Sequence, residues 1–94
     1  MVKVIFEYEI SSDDQETYLR ETMEKIKPFW ESKGCKSYLV WQESENKDRF
    51  VKEMLFDDPS SMKEIMNLEE AETVKEIFRK FAKDVKRKIL IQKT

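Results

Sequence analysis

The sequence has no histidine, one cysteine, one glycine and two prolines in 94 residues. Each scarcity excludes something. Without histidine and with a lone thiol there is no Cys/His zinc site, no histidine-ligated haem and no Ser-His-Asp triad. One glycine cannot supply a glycine-rich phosphate loop. Cys35 alone cannot close an internal disulfide, which suits a reducing compartment, and a heavy-metal Cys-x-x-Cys loop is missing. No apolar run approaches the ~20 residues a spanning helix needs, and the opening residues MVKVIFEYEI do not read as a signal peptide. A cytoplasmic location is the expectation. Net charge is also low: Lys+Arg number 18 and Asp+Glu 20, so the formal balance is −2 although 40% of the residues are charged. A balanced, slightly acidic chain is a poor binder of nucleic acid or of an anionic membrane, and neither is expected as a partner.

What remains is a strongly patterned single domain spanning residues 1–94. Residues 2–10 alternate, with Val2, Val4, Phe6, Tyr8 and Ile10 on one face and Lys3, Ile5, Glu7 and Glu9 on the other. Ser12 with Gln15 reads as a capping box, and Leu19, Met23, Ile26 and Trp30 as the inward stripe of a first helix. Pro28 should kink that helix or begin a short final turn, and Gly34 sits where a C-cap needs positive φ. A second strand is expected from about Lys36 to Glu43, a polar hairpin loop over Ser44–Asp48, and a third strand over Arg49–Phe56. Asp58-Pro59 starts a second helical region, which Asn67 with Glu70 should break. Val74, Ile77, Phe78, Phe81 and Val85 form a sustained helical stripe, and Ile89-Leu90-Ile91 a short closing strand. The lysines from Lys83 to Lys88 then read as a solvated helix end favoured by the dipole.

The order β-α-β-β-α-β with right-handed crossovers predicts an α+β, ferredoxin-like fold: a four-stranded antiparallel sheet with both helices on one face. The other face would still carry large apolar groups, Leu39 and Trp41 on strand two and Val51 and Leu55 on strand three. A face that apolar calls for a partner, and a second copy on a two-fold axis is the economical one. A homodimer through the open sheet face is therefore expected. RNA-recognition domains share this element order, but strand three, Asp48-Arg49-Phe50-Val51-Lys52-Glu53, lacks their glycine.

Gly34-Cys35, Tyr38, Arg49-Phe50-Val51, Glu53 and Phe56 together resemble the dimeric α/β barrel superfamily, in particular its antibiotic-biosynthesis monooxygenase-like branch. The resemblance covers essentially the whole chain in element order. It implies a cofactor-independent monooxygenase-like protein acting on a small aromatic or quinol-like molecule, with no cofactor and no metal. Relatives often place a histidine on the second helical region; here Glu64, Ile65 and Met66 stand there, and no full catalytic set carries over. The alternative is a non-catalytic binding or structural homodimer that kept the fold and lost the catalytic residues. Pocket candidates are Glu7, Glu9, Tyr38, Trp41, Lys52 and Glu53. A strand carboxylate could serve as a general base, but the favoured reading pairs these glutamates with Lys3, Lys52 or a partner's lysine. Tyr38 and Trp41 could line a site for a flat ligand or simply fill the core or interface. The methionines, Met23, Met54, Met62 and Met66, sit at core spacings, and Cys35 reads as a buried, inert thiol.

Overall fold

A computed structural model describes all residues, 1–94. Strand β1 (Val2–Glu9) lies at the centre of an antiparallel sheet, between β3 (Arg49–Phe56) and β4 (Lys83–Ile91). Strand β2 (Ser37–Gln42) completes the order β2-β3-β1-β4, the ferredoxin-like arrangement. Helices α1 (Gln15–Glu21), α2 (Lys27–Ser32), α3 (Pro59–Met66) and α4 (Glu72–Phe81) fill the two crossovers. None is long and apolar enough to cross a membrane.

The alternation in β1 decides the faces. Val2, Val4, Tyr8 and Ile10 are buried beneath the helices, as are Phe50, Met54 and Phe56 of β3. Two core clusters result. One gathers Val2, Val4, Ile26, Trp30, Tyr38, Met54 and Phe56. The other is largely aromatic, with Tyr8, Tyr18, Phe50, Phe78 and Phe81. In the second, the Tyr8 and Tyr18 hydroxyls hydrogen-bond each other at 2.5 Å, so each buried phenol has a polar partner.

The first helical region departs from the expected stripe. Leu19 and Met23 are exposed, Met23 by 64%, while Tyr18, Thr22, Ile26 and Trp30 point inward. The cause is a π-helical turn over Thr22–Ile26 between α1 and α2. Pro28 cannot donate to the carbonyl four residues back and its ring crowds that carbonyl, while the Lys27 amide bonds to Thr22 O. A wider turn keeps a run of four-residue steps on one face, whereas a 3.6-residue repeat drifts by about 40° at each such step. The expected capping box is also replaced. Gln15 donates through Nε2 to the carbonyls of Ile10 and Lys47, both at 3.0 Å, and so fastens the β2–β3 loop to the start of α1.

Asp58 caps α3 as anticipated, accepting from the Ser61 amide at 2.7 Å. The break after α3 is present, but Asn67 closes α3 by donating to Lys63 O at 2.7 Å and does not open the next helix. The largest correction lies at residues 82–88. Helix α4 ends at Phe81 and Ala82 is already extended, so Val85 and the basic run belong to a nine-residue strand. Val85, Arg87, Ile89 and Ile91 share one face of it, a period-two pattern that also fits the four-residue step from Phe81. Pairing with the free edge of β1 decides between the two, because it satisfies a full row of backbone donors and acceptors.

Gly34 adopts φ +116°, and a Cβ there would lie 2.9 Å from Ile65 Cδ1. Gly34→Ala should lose roughly 1–3 kcal/mol of stability in chemical denaturation, since backbone strain and a contact with α3 arise together.

Candidate functional site

Two faces of the sheet have different characters. On the open face every candidate glutamate is engaged in an ion pair. Glu53 receives Lys3 Nζ at 3.4 Å and the Trp41 indole N–H at 2.7 Å. Glu9 pairs with Arg49 at 3.6 Å and Glu7 with Lys88 at 3.9 Å. Trp41 is 55% exposed beside Leu39, with Leu90 of β4 on the same side of the sheet. Glu7, Glu9, Trp41 and Glu53 thus form a surface of cross-strand pairs and exposed apolar groups, and none of them lines the cavity on the helix side.

The principal cavity lies on the helix side. It has a volume of about 690 Å³ and is bounded by the sheet, α3, α4 and β4. Val4, Phe6, Lys52 and Met54 form its floor, and Trp30, Met62, Met66 and Val74 form apolar walls. Along the remaining side stand Val85, Arg87 and Ile89, a wall built by the strand that the helical reading of residues 82–88 had left out. Of the six pocket candidates, Lys52 alone lines this space. Tyr38 is buried beside it, with its ring centroid 5.7 Å from Lys52 Nζ.

Lys52 holds the central position because β3 alternates and its residue 52 must face inward with Phe50 and Met54. Only 4% of it is exposed. Its Nζ makes no ion pair and no hydrogen bond with the protein; it rests 3.5 Å from the centroid of the Phe78 ring and 4.5 Å from that of Phe6. Desolvation by burial lowers its pKa to about 7. Near neutral pH the site therefore contains both the ammonium and the free amine, in aromatic surroundings. The other buried groups move the opposite way, since burial penalises their anions: Cys35 and Tyr38 are pushed up, and Tyr18 rises to about 12. Cys35 donates weakly to Ser37 O at 3.2 Å and is buried, as an inert thiol should be.

The aromatic box around Lys52 was only partly visible in sequence. Phe6 lies on the same face of β1, but Phe78 arrives from α4 across the core. The useful signal was a lysine at the inward phase of a strand whose other inward residues are all large and apolar.

The profile of the antibiotic biosynthesis monooxygenase family matches residues 1–77. The chain belongs to that family. Among proteins of curated function, none matches this sequence. Solved structures support the fold over the full length. A conserved protein from Methanosarcina mazei is 16% identical with a TM-score of 0.82, covering 98% of this chain and 92% of its own. A Deinococcus radiodurans protein assigned as an antibiotic biosynthesis monooxygenase is 18% identical, with a TM-score of 0.80 and coverage of 100% and 94%. SnoaB of Streptomyces nogalater, a cofactor-independent oxygenase, is 9% identical with a TM-score of 0.79, over 99% and 93%. The family profile ends inside α4, whereas these structures extend the likeness through β4. For this family member, the strand that walls the cavity lies beyond the matched segment.

Burying Lys52 has a measurable consequence. Its pKa is depressed in the folded state, so its contribution is most favourable above the unfolded value of about 10.5, where the amine is neutral in both states. That contribution is lost as pH falls towards about 7, where the folded protein must hold the ammonium. Lys52→Met should be more stable than the wild type at pH 7, with an upper estimate of about 3–5 kcal/mol before the lost ring contacts are subtracted. The gap should narrow between pH 7 and pH 10 in paired denaturation curves.

Proposed function

We infer that this protein oxygenates a small aromatic or quinol-like molecule without a resident cofactor, in the cavity between the sheet and the helices. The observation that carries this reading is the cavity itself: about 690 Å³, mostly apolar, with one partnerless amine at its floor. Family membership and the fold shared with a cofactor-independent oxygenase support it. In the chemistry proposed, an acidic C–H of the substrate gives its proton to water and leaves a carbanion stabilised by the adjacent rings. The carbanion's electrons form a C–O bond to O₂, and protonation gives a hydroperoxide. Cleavage of the O–O bond with loss of the second C–H proton then yields a ketone and water. In sum, a CH₂ and O₂ become C=O and H₂O, with the substrate as reductant.

A second reading, a binding dimer without turnover, draws on the absence of any carboxylate from the cavity lining. Oxygen consumption with a panel of quinols and hydroxylated polycyclic aromatics separates the two. Turnover in the wild type is expected; equilibrium binding of the same compounds with no oxygen uptake would establish the binding protein instead.

A homodimer through the open sheet face belongs to the same proposal. Leu39, Trp41 and Leu90 are 42%, 55% and 46% exposed there, large apolar groups on both edge strands of the sheet. Cys35 and the absence of a second thiol fit a reducing, cytoplasmic setting. In sedimentation velocity at micromolar concentration the wild type should run as a dimer, and Leu39→Lys should shift it towards monomer. A wild-type monomer under those conditions would remove the dimer from the proposal.

A further inference from the structure

The charged groups that line the cavity are Lys52, Lys63, Lys75, Arg79 and Arg87. All five are cations, in a chain whose net charge is −2. Arg79 is occupied by Glu72 at 2.9 Å, but Lys63, Lys75 and Arg87 form no ion pair. Within the cavity Lys52 Nζ meets only ring faces, at 3.5 and 4.5 Å from the centroids of Phe78 and Phe6. Ring faces stabilise an ammonium but accept none of its three N–H donors directionally, so the head group still lacks an acceptor. Tyr38 of β2 and Cys35 lie near it, and the charged groups that the packed elements bring to the same cavity are Lys63 of α3, Lys75 and Arg79 of α4, and Arg87 of β4. None is a carboxylate. No protein group fills that role at Nζ, which leaves the place open to a ligand's oxygen, and the apolar walls fit the body of such a ligand better than they fit a small hydrated anion.

We propose that the cavity takes a flat, apolar molecule bearing one acidic oxygen, as an enol, a phenol or a carboxylic acid, and seats that oxygen as an anion on Nζ of Lys52. The proposal rests on the cavity being the ligand site and adds the ligand's charge and its protein partner. For an enol or phenol, the O–H bond breaks, an N–H bond forms on the neutral amine, and the electron pair stays on oxygen. For a carboxylate, already ionised in solution, the same pair forms when Lys52 takes a proton from water. No oxidation or reduction is involved. Arg87 and the rim lysines attract the anion to the mouth, and Lys52 holds it inside.

Titration calorimetry with two probes of one shape, naphthalene carboxylate and naphthalene carboxamide, tests this. At pH 6.5 the carboxylate should bind at least about tenfold more tightly than the amide, the scale of a hydrogen bond to a charged group. At pH 7, measurements in buffers of different ionisation enthalpy should show net proton uptake with the carboxylate and none with the amide. The preference should fall as pH rises above 7. Lys52→Met should retain amide binding and lose both preference and uptake, and Arg87→Gln should weaken the carboxylate while sparing its proton uptake. Equal affinities, a preference that survives Lys52→Met, or no proton uptake would each overturn the anion site. Binding of neither probe would overturn it together with the cavity as a ligand site. A preference for the carboxylate beside a failed oxygen assay would sustain the anion site and remove only the oxygenase.

Discussion

Strand β1 is held on both edges, by β3 on one side and β4 on the other, and the molecule depends on that double pairing. A strand slipped by one residue would turn its apolar set towards solvent, and two flanking ladders make such a slip costly. With β1 fixed, the phase of β3 is fixed, and with it the inward aim of Lys52. The helices then have one face on which to lie, and the glutamates of β1 and β3 have no choice but the other. The division between an apolar helix side and an ion-paired open side follows from this one register.

A buried, unpaired amine works against that economy. Desolvating an ammonium disfavours the folded state, and rings offset only part of the loss. The protein lessens the cost by letting the amine lose its proton near neutral pH. Function-bearing groups often stand where local physical chemistry is least comfortable. Here Lys52 is joined by its neighbour Tyr38, whose buried hydroxyl also lacks a hydrogen-bond partner, while Met54 and Phe50 pack as an ordinary core. The open face shows the opposite arrangement. Glu7, Glu9 and Glu53 each face a cation on a neighbouring strand.

Much of the fold was legible because strands announce themselves through alternation. Both β1 and β3 appear where the period-two pattern puts them, and Asp58-Pro59 and Gly34 mark real boundaries. Two regions read differently in sequence and in space. Leu19 and Met23 fit a helical stripe, but the π-helical turn shifts the inward face to Tyr18 and Thr22, and no local pattern reports hydrogen bonds of that span. Val85 fits the repeat from Phe81 and also an alternating strand, and only the vacant edge of β1 resolves it. The site was legible in part for the same reason. Lys52 was among the pocket candidates, and Tyr38 is its neighbour. Glu7, Glu9, Trp41 and Glu53 were drawn in by their chemistry, although the alternation already placed Glu7 and Glu9 opposite the apolar face of β1.

Strand β4 also bears on how the chain assembles. The amide of Gln92 bonds to the carbonyl of Met1 at 2.9 Å, so the contact that closes the sheet joins residues at the far extremes of the domain. Contacts of such sequence separation are entropically expensive to form early and tend to slow folding. A chain that had assembled β1, β2, β3 and the helices but not yet docked β4 would lack one wall of the cavity. In that state water could reach the floor, and Lys52 could keep its charge at little cost. The strain at the amine is thus tied to the docking of β4, and a molecule that fills the space would act as a clasp between that strand and the rest of the fold.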